Sequence, residues 1–216
     1  MLKRFLNHEK GITGLETAII LIAFVVVAAV FSYTALSAGL FSTQKAQEAV
    51  YSGLKEAQST LELRGPVIAT ASETGTAGRV KQITFTLANV LGGEAVDFTK
   101  PTADTNNDDK ALTGTGATNR VVINYIDQTQ KVNDLYWTFI PLGKDNGNNL
   151  LESNEKFQVT VGNDVATTAG GNLIDALTTN LDINSTFNLE IVTPAGAVLS
   201  IERTVPAYMD TIMNLR

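Results

Sequence analysis

Acidic and amide side chains, rather than nucleophiles, are the groups with which this chain of 216 residues could do chemistry. It contains no cysteine, and its single histidine is His8, in a basic segment at the N-terminus. Disulfides, thiolate metal sites and cysteine nucleophiles are therefore excluded. No histidine follows residue 8 to activate a serine, and no phosphate-binding loop, zinc-ligand spacing or dinucleotide fingerprint is present. We therefore expect no enzymatic activity.

Two polar loops carry oxygen ligands of the kind that a hard cation such as calcium prefers. The loop Asp104–Asp108 alternates oxygen-bearing side chains but lacks the glycine and the distal glutamate of a calcium loop. A second loop offers Asp145, Asn149 and Glu152 as metal ligands. The alternative for both loops is a solvated turn held by hydrogen bonds from side chains to the main chain. We expect no required cofactor, with structural calcium as the candidate ligand.

One sequon for N-linked glycosylation is present, at Asn184-Ser185-Thr186. It lies in a polar segment of a part of the chain that should face the cell exterior. We expect a glycan on Asn184, although short sequons also arise by chance, and an unmodified asparagine is the alternative.

The chain is acidic, with a formal net charge of -6 that becomes -8 if residues 1–11 are removed. Positive residues are scattered through the C-terminal part and form no visible patch. An acidic chain of this kind repels the phosphate backbone of nucleic acids. We therefore expect no nucleic acid partner.

The pattern of the N-terminal third predicts one long helix. No charged residue occurs between Thr17 and Gln44, and the sequence is apolar without a break from Ala18 to Phe31. A helical pattern continues to Arg64, where a glycine and a proline follow. At 1.5 Å per residue, a helix from about Thr13 to Arg64 is on the order of 75 Å long, whereas a bilayer core is about 30 Å thick. Half of this helix must lie outside lipid.

The remaining chain contains short runs of β-branched and aromatic residues separated by Gly, Asn, Asp and Thr, a pattern typical of short strands. Alternation of apolar and polar residues is clearest at Ile83–Leu87 and Phe157–Val161, so one face of each strand should be buried. Trp137 should belong to the core with its aromatic neighbours. The predicted strands are Val67–Ala71, Val80–Leu91, Ala95–Thr99, Arg120–Ile126, Leu135–Ile140, Lys156–Val161, Phe187–Thr193 and Val198–Val205.

These patterns predict an α+β fold in which a long N-terminal α-helix is followed by an antiparallel β-sandwich of immunoglobulin-like size. We divide the chain into a basic leader peptide at 1–11, the helix at 12–65 and the outer domain at 66–216. Three interpretations of the N-terminus compete: a secretory signal cut after the apolar run, an uncleaved signal-anchor, and a leader cut at Gly11.

The segment Lys10–Phe31 resembles the leader junction and first helix of archaellins, the filament subunits of the archaeal flagellum. The C-terminal stretches Ala197–Pro206 and Met213–Arg216 resemble the archaellin ending. The resemblance implies that a membrane peptidase of the prepilin type cuts between Gly11 and Ile12. It also implies a long helix that carries a β-sandwich, and a metal in some members at the loop corresponding to 145–155. Glu9 stands where family leaders commonly have a second basic residue.

Cleavage would create a new amine at Ile12, and the carboxylate of Glu16, one turn further on, could pair with it, as in related type IV pilins. The alternative is an acid that only favours the positive end of the helix dipole. Apolar side chains of the same segment should bury each other in a bundle of identical helices. The expected assembly residues are Gly14, Glu16, Ile19, Ile20, Ile22, Phe24, Val26, Val27, Val30 and Phe31.

We therefore expect a structural subunit that polymerises through its N-terminal helix into the extracellular filament of the archaeal flagellum, which serves cell motility. Its expected partners are identical or paralogous subunits in a helical polymer, the leader peptidase, and the cytoplasmic membrane before assembly. The alternatives are a pilin-like adhesion subunit and a single-pass anchored surface protein whose sandwich binds a sugar or another partner.

Overall fold

The computed structural model describes residues 9–90, 93–106, 108–162 and 171–215, with side chains described from Gly14 onward. The basic residues up to His8 lie outside the described part of the chain. The chain divides into two compact units, Met1–Ser52 and Gly53–Arg216. The first unit holds most of a long helix, and the second holds the end of that helix and all the strands described.

Helix α1 spans Glu9–Gln58, a continuous run of 50 residues. The threonines at positions 17, 34 and 43 each donate their hydroxyl to the main-chain carbonyl three residues earlier, at 2.9–3.0 Å. These hydroxyls are therefore satisfied within the helix. Internal bonding of these three hydroxyls is compatible with a lipid environment.

The strands and one further helix follow α1, and they are numbered here in chain order among the described residues. They are β1 Leu61–Leu63, β2 Val67–Ala71, β3 Val80–Asn89, β4 Val96–Asp97, β5 Val122–Asp127, β6 Lys131–Val132, β7 Trp137–Leu142, β8 Leu150–Leu151, β9 Lys156–Val161, α2 Leu173–Ala176, β10 Thr186–Val192, β11 Val198–Thr204 and β12 Ile212–Leu215.

The strands form two main antiparallel sheets. The larger sheet has the order β12-β2-β3-β9-β7, with β1 also paired to β3. The smaller sheet has the order β11-β10-β5-β6, and β4 and β8 form a short separate pair. This arrangement confirms the predicted fold class of a long N-terminal helix followed by antiparallel β-sheets.

One hydrophobic core lies between the two sheets. The alternating side chains of β3 and β9 that were expected to face inward are buried, and so are those of β5 and β10 in the other sheet. Trp137 is fully buried, packs edge-to-face on Phe98 with ring centroids 5.7 Å apart, and donates its indole N–H to the Val121 carbonyl. The expectation that Trp137 belongs to the core is confirmed.

The end of α1 differs from the prediction. The helix ends at Gln58 rather than Arg64, and the backbone N–H of Ser59 makes the last bonds, to the carbonyls of Lys55 and Glu56. The next residues form β1, in which Leu61 pairs opposite Asn89 and is only 3% exposed. Pairing with β3 buries Leu61 in the sandwich core and satisfies its backbone, which outweighs the helical tendency of the segment.

The predicted strand limits agree with the structure for some strands and differ by one or two residues for others. The ranges of β2 and β9 match the predictions, and β3 ends two residues before the expected Leu91. The prediction missed β1, β6, β8, β12 and the four-residue α2. All of these elements have only two to four residues, and so short a segment shows no periodicity of its own.

Candidate functional site

The apolar surface of α1 is the most unusual feature of the described chain. Every residue from Gly14 to Gln58 is exposed, including the aromatic rings of Phe24 and Phe31, each 72% exposed. We call the exposed face of residues 14–31 the assembly surface. Its other predicted members are exposed to between 56 and 67%: Ile19, Ile20, Ile22, Val26, Val27 and Val30.

Such a surface is unfavourable in water. Soluble monomers rarely expose contiguous apolar patches larger than a few hundred Å². A helix that is apolar on all sides is normally buried in a protein or in a bilayer. By length and composition, α1 is able to cross a membrane. The side chains of the assembly surface therefore require lipid or other protein around them.

The two polar members of the predicted assembly set lie at the start of the described side chains. Glu16 is exposed on α1, one helical turn after Ile12. A β-carbon added at Gly14 would meet no other atom within 4 Å, so the glycine leaves open space in the single chain. Gly11 and Ile12 belong to the backbone of α1, but the Ile12 side chain lies outside the described residues. Cleavage between them stays a prediction.

The second polar loop is organised by its amide side chains. Asn146 Nδ2 donates to a Glu152 carboxylate oxygen at 2.9 Å, and Asn146 Oδ1 accepts the Asn148 N–H at 3.0 Å. Asn148 Oδ1 in turn accepts the Leu150 N–H at 2.7 Å. The loop is therefore closed by consecutive side-chain to main-chain turns, the alternative considered for this sequence.

The three ligands proposed for this loop occupy different places. Asp145 and Asn149 are exposed, whereas Glu152 is half-buried and bonded to Asn146. The Asn149 carbonyl accepts the N–H of Phe98 at 2.7 Å. Among the described residues no three acidic or histidine side chains gather as a metal cluster. Calcium in this loop stays a prediction that would rely on amide and main-chain oxygens.

The first polar loop is likewise folded on itself. Asp104 Oδ1 accepts the Asn106 N–H at 2.9 Å, and Lys110 Nζ lies 2.8 Å from Asp108 Oδ2. The buried acid of this region is the next residue, Asp109, which is 0% exposed. The sequence did not single it out, because a polar run carries no signal that separates a buried aspartate from its exposed neighbours.

Asn184 is exposed and lies in the left-handed region of the backbone, with φ at 56°. Asparagine adopts this conformation more readily than most residues. Its backbone N–H donates to the Val205 carbonyl at 3.1 Å, which fixes the segment before β10. The side chain is thus accessible on an ordered turn, and glycosylation stays a prediction.

A hydrogen-bonded carboxylate at the β5–β6 turn was not predicted. Asp127 accepts the Tyr125 hydroxyl at 2.9 Å and the backbone N–H groups of Thr129 and Gln130 at 2.6 and 2.9 Å. Burial opposes ionisation, but these donors and the Gln130 amide outweigh it and lower the pKa of Asp127 to about 2. The signal available in the sequence was the Asp-x-Thr turn pattern.

An exposed apolar helix followed by a β-sandwich is typical of a protein that buries the helix in lipid or against other protein. The family model for archaeal-type flagellin matches residues 11–203. The chain belongs to the archaeal-type flagellin family.

Relatives and solved structures agree with this assignment. Probable flagellin 1 of Archaeoglobus fulgidus is 38% identical over 218 residues, an alignment that covers 98% of both chains. A solved structure of the archaeal flagellum of Methanospirillum hungatei is 29% identical, with a TM-score of 0.59, and covers 94% of this chain and 98% of its own. A crystal structure of flagellin FlaB1 from Methanocaldococcus jannaschii, 11% identical with a TM-score of 0.51 over 72% of this chain and 95% of its own, shares the fold.

The function follows from the family together with the fold. The chain is a structural subunit of the archaeal flagellum, the archaellum, whose filament serves cell motility. The similarity to the archaeal flagellum supports self-association into an extracellular filament at the cell surface, and such a polymer is one way to bury the assembly surface.

Proposed function

We propose that the subunit enters the filament by exchanging lipid for copies of itself along the assembly surface. The observation that carries this proposal is that every residue from Gly14 to Gln58 is exposed. Burying roughly 15 apolar side chains at about 1.5–3 kcal/mol each contributes tens of kcal/mol relative to water. Among identical subunits, only a bundle of their N-terminal helices offers enough apolar area to bury these side chains.

The membrane serves as the store of unassembled subunits. Lipid tails solvate the stretch from Ala18 to Phe31, so a single precursor waits in the cytoplasmic membrane without exposing it to water. Lys3 and Arg4 hold the leader on the cytoplasmic side. The sandwich then lies outside and becomes the outer wall of the filament, while α1 forms the core.

Removal of the leader by a prepilin-type peptidase is the step that releases the subunit for assembly. Cutting between Gly11 and Ile12 removes the basic head and creates an amine at Ile12. Glu16, one turn further along an apolar helix, is placed to pair with that amine in the same or a neighbouring subunit. Without such a pairing, either charge would be costly inside an apolar bundle.

Growth is open and helical because the contacts between identical subunits join different surfaces and do not close into a ring. The role proposed for this chain is mechanical rather than catalytic. No observation favours the adhesion or anchored-protein alternatives over filament assembly.

The proposal is tested by placing charge in the assembly surface. Replacing Val26→Asp together with Val27→Asp should abolish filaments, because each aspartate buried in an apolar helix bundle costs about 3 kcal/mol. Both valines are more than half exposed in the single chain, so the sandwich should fold normally. Electron microscopy of surface filaments measures assembly, and the emission of Trp137, the only tryptophan, reports the folded core.

The matched control is Val26→Leu with Val27→Leu, which keeps the surface apolar and should keep the filaments. Filaments of normal length and number from the double aspartate variant would show that the assembly surface is not the filament core.

A further inference from the structure

Among the described residues, the outer face of the larger sheet carries no charge over three rows of paired positions. The two outer rows hold only threonine, glutamine and isoleucine, with Ile212 and Ile140 at their ends, exposed to 67 and 60%. The middle row crosses all five strands from β12 to β7 and consists of Asn214, Ile68, Thr84, Thr160 and Thr138. We call these three rows the neutral face.

The outer face of the smaller sheet has a different character. Glu190 and Glu202 point away from the core there, and Lys131 lies 3.9 Å from Glu190. On the larger sheet, Glu62 and Lys156 follow only in the next row. Because the chain has a net charge of -6, the charged surfaces of two copies repel each other. The neutral face is where a second copy approaches without that cost.

Helix α1 carries a second uncharged surface, beyond the assembly surface. Residues 32–44 contain no charge, and every one of them is exposed. Tyr33, Leu36 and Leu40 line one groove of the helix, and each is more than half exposed. The hydroxyls of Thr34 and Thr43 already donate to helix carbonyls, so covering them leaves neither without an acceptor. We call residues 32–44 the neutral segment.

The neutral face and the neutral segment match in size and chemistry. At 1.5 Å per residue the segment extends over about 20 Å. Five strands about 4.8 Å apart extend over about 19 Å. The hydroxyls of Thr84 and Thr160 on the face hydrogen-bond to each other at 3.4 Å. A helix packed on one face of an antiparallel sheet is a common two-layer arrangement, and here it buries no charge.

We propose that the neutral face of one subunit packs against the neutral segment of α1 in a neighbouring copy. The inference rests on the filament assembly proposed above, because the polymer is what brings identical chains side by side. The contact joins two different surfaces of the same chain, so it repeats from copy to copy without closing. The larger sheet then faces the helix bundle, and the charged face of the smaller sheet is left to solvent.

The contact is tested by cross-linking, since the chain has no cysteine and every introduced thiol is unique. Filaments of the full chain with Leu40→Cys and Thr160→Cys are treated with a short bifunctional thiol reagent. Each subunit then carries both halves of the contact, so a denaturing gel should show a ladder of covalent dimers, trimers and longer chains. The matched control, Leu40→Cys with Ser200→Cys on the exposed face of the smaller sheet, should give no ladder.

A second measurement uses one thiol at a time and no cross-link. The thiol of Ile140→Cys should react readily with an alkylating reagent in subunits dispersed in detergent, and it should be protected in filaments. Ser200→Cys should react in both states. This comparison decides the proposal should the double-cysteine chain fail to assemble.

Three results would overturn the proposal. The first is filaments of Leu40→Cys with Thr160→Cys that give no ladder. The second is dimers from Leu40→Cys alone or Thr160→Cys alone, which would place two helices or two sheets against each other. The third is equal alkylation of Ile140→Cys in filaments and in detergent. Failure of the proposed function is seen separately, as normal filaments from the double aspartate variant at positions 26 and 27.

Discussion

Asp127 illustrates how one side chain can organise a turn. It collects donors from Tyr125, Thr129 and Gln130, and Gln130 in turn accepts the Thr178 N–H at 2.8 Å. The carboxylate thus links the β5–β6 turn, through Gln130, to the segment after α2. Hydrogen bonds to an ionised group are roughly twice as strong as those between neutral groups. Asp127 should therefore stabilise the outer unit in its charged form.

Replacing Asp127→Asn should lower the free energy of unfolding by about 1–3 kcal/mol at neutral pH, because the charged acceptor of several N–H and O–H donors is lost. The folded pKa of about 2 lies below the usual value of 3.8, so the stabilisation is present above pH 3.8. It is lost as the pH falls through about 2. Denaturant unfolding of the parent and variant chains between neutral pH and pH 2 measures this difference.

The control for this prediction is Asp210→Asn, since Asp210 is exposed near the C-terminus. Its free energy of unfolding should stay within about 0.5 kcal/mol of the parent. If the difference in free energy of unfolding between Asp127→Asn and the parent does not shrink in acid, the turn depends on the shape of the side chain rather than on its charge.

Helix α1 combines two environments along one element. Its 50 residues extend over about 75 Å, more than twice the roughly 30 Å of a bilayer core. The apolar part ends before Gln44, and the following turns carry charged residues such as Lys45 and Glu48, whose exposed ion pair measures 2.6 Å. Exposed pairs of this kind contribute little to stability. The polar half therefore suits the aqueous side of the membrane.

The loop between β7 and β9 is organised by its amide side chains. Two consecutive turns at Asn146 and Asn148 and the bond from Asn146 to Glu152 already close it. Millimolar calcium should raise the melting temperature of the parent chain if this loop binds the ion. Glu152→Gln should remove that shift, because it removes a carboxylate ligand.

The matched control for the loop is Glu202→Gln, an exposed glutamate on β11. Calcium should raise the melting temperature of this variant as it raises that of the parent chain. Equal shifts in Glu152→Gln and Glu202→Gln would remove calcium from the loop and leave a turn stabilised only by its own hydrogen bonds.

The two compact units of the protein have different requirements. The unit Gly53–Arg216 contains a buried core of its own, whereas the described side chains of the first unit are all exposed. In a subunit of this kind, burial of one helix contributes the free energy of assembly, and the core of the sandwich contributes the free energy of folding. Stability of the filament and stability of the outer unit should therefore respond to different substitutions.

Subunits from sheared filaments should begin at Ile12, because burying the charged residues of the leader in an apolar core is unfavourable. N-terminal sequencing and intact mass measure this directly. The same mass should exceed that of the bare polypeptide by a glycan, and Asn184→Gln should remove the excess. A mature mass equal to the bare polypeptide would remove the glycosylation prediction.

A Gly11→Val variant, which blocks close approach of a peptidase to the junction, serves as the control for cleavage. It should keep Met1, stay in the membrane fraction and form no filaments. Filaments built from subunits that retain the leader would contradict the proposed order of cleavage and assembly. If the chain of the parent strain retains Met1 and is found only in membranes, an anchored surface protein would be favoured instead.

The amino-acid sequence alone determined the division between an apolar helix and a β-rich outer unit. Both signals are local, since the unbroken apolar run from Ala18 to Phe31 and the alternation of Phe157–Val161 depend only on neighbours along the chain. The same local patterns placed Trp137 in the core and gave the limits of β2 and β9. The exposed assembly surface was predictable for the same reason.

Folding in three dimensions decided the end of α1 and the environment of each acid. Leu61 fits a helical stripe and a strand equally well, and only the presence of β3 beside it selects the strand. Asp108 and Asp109 are adjacent and chemically identical, yet one contacts Lys110 and the other is buried without a donor. The burial of Asp109 depends on main-chain pairing with residues 134–136, which lie about 25 positions further along the chain, so no local pattern contains it.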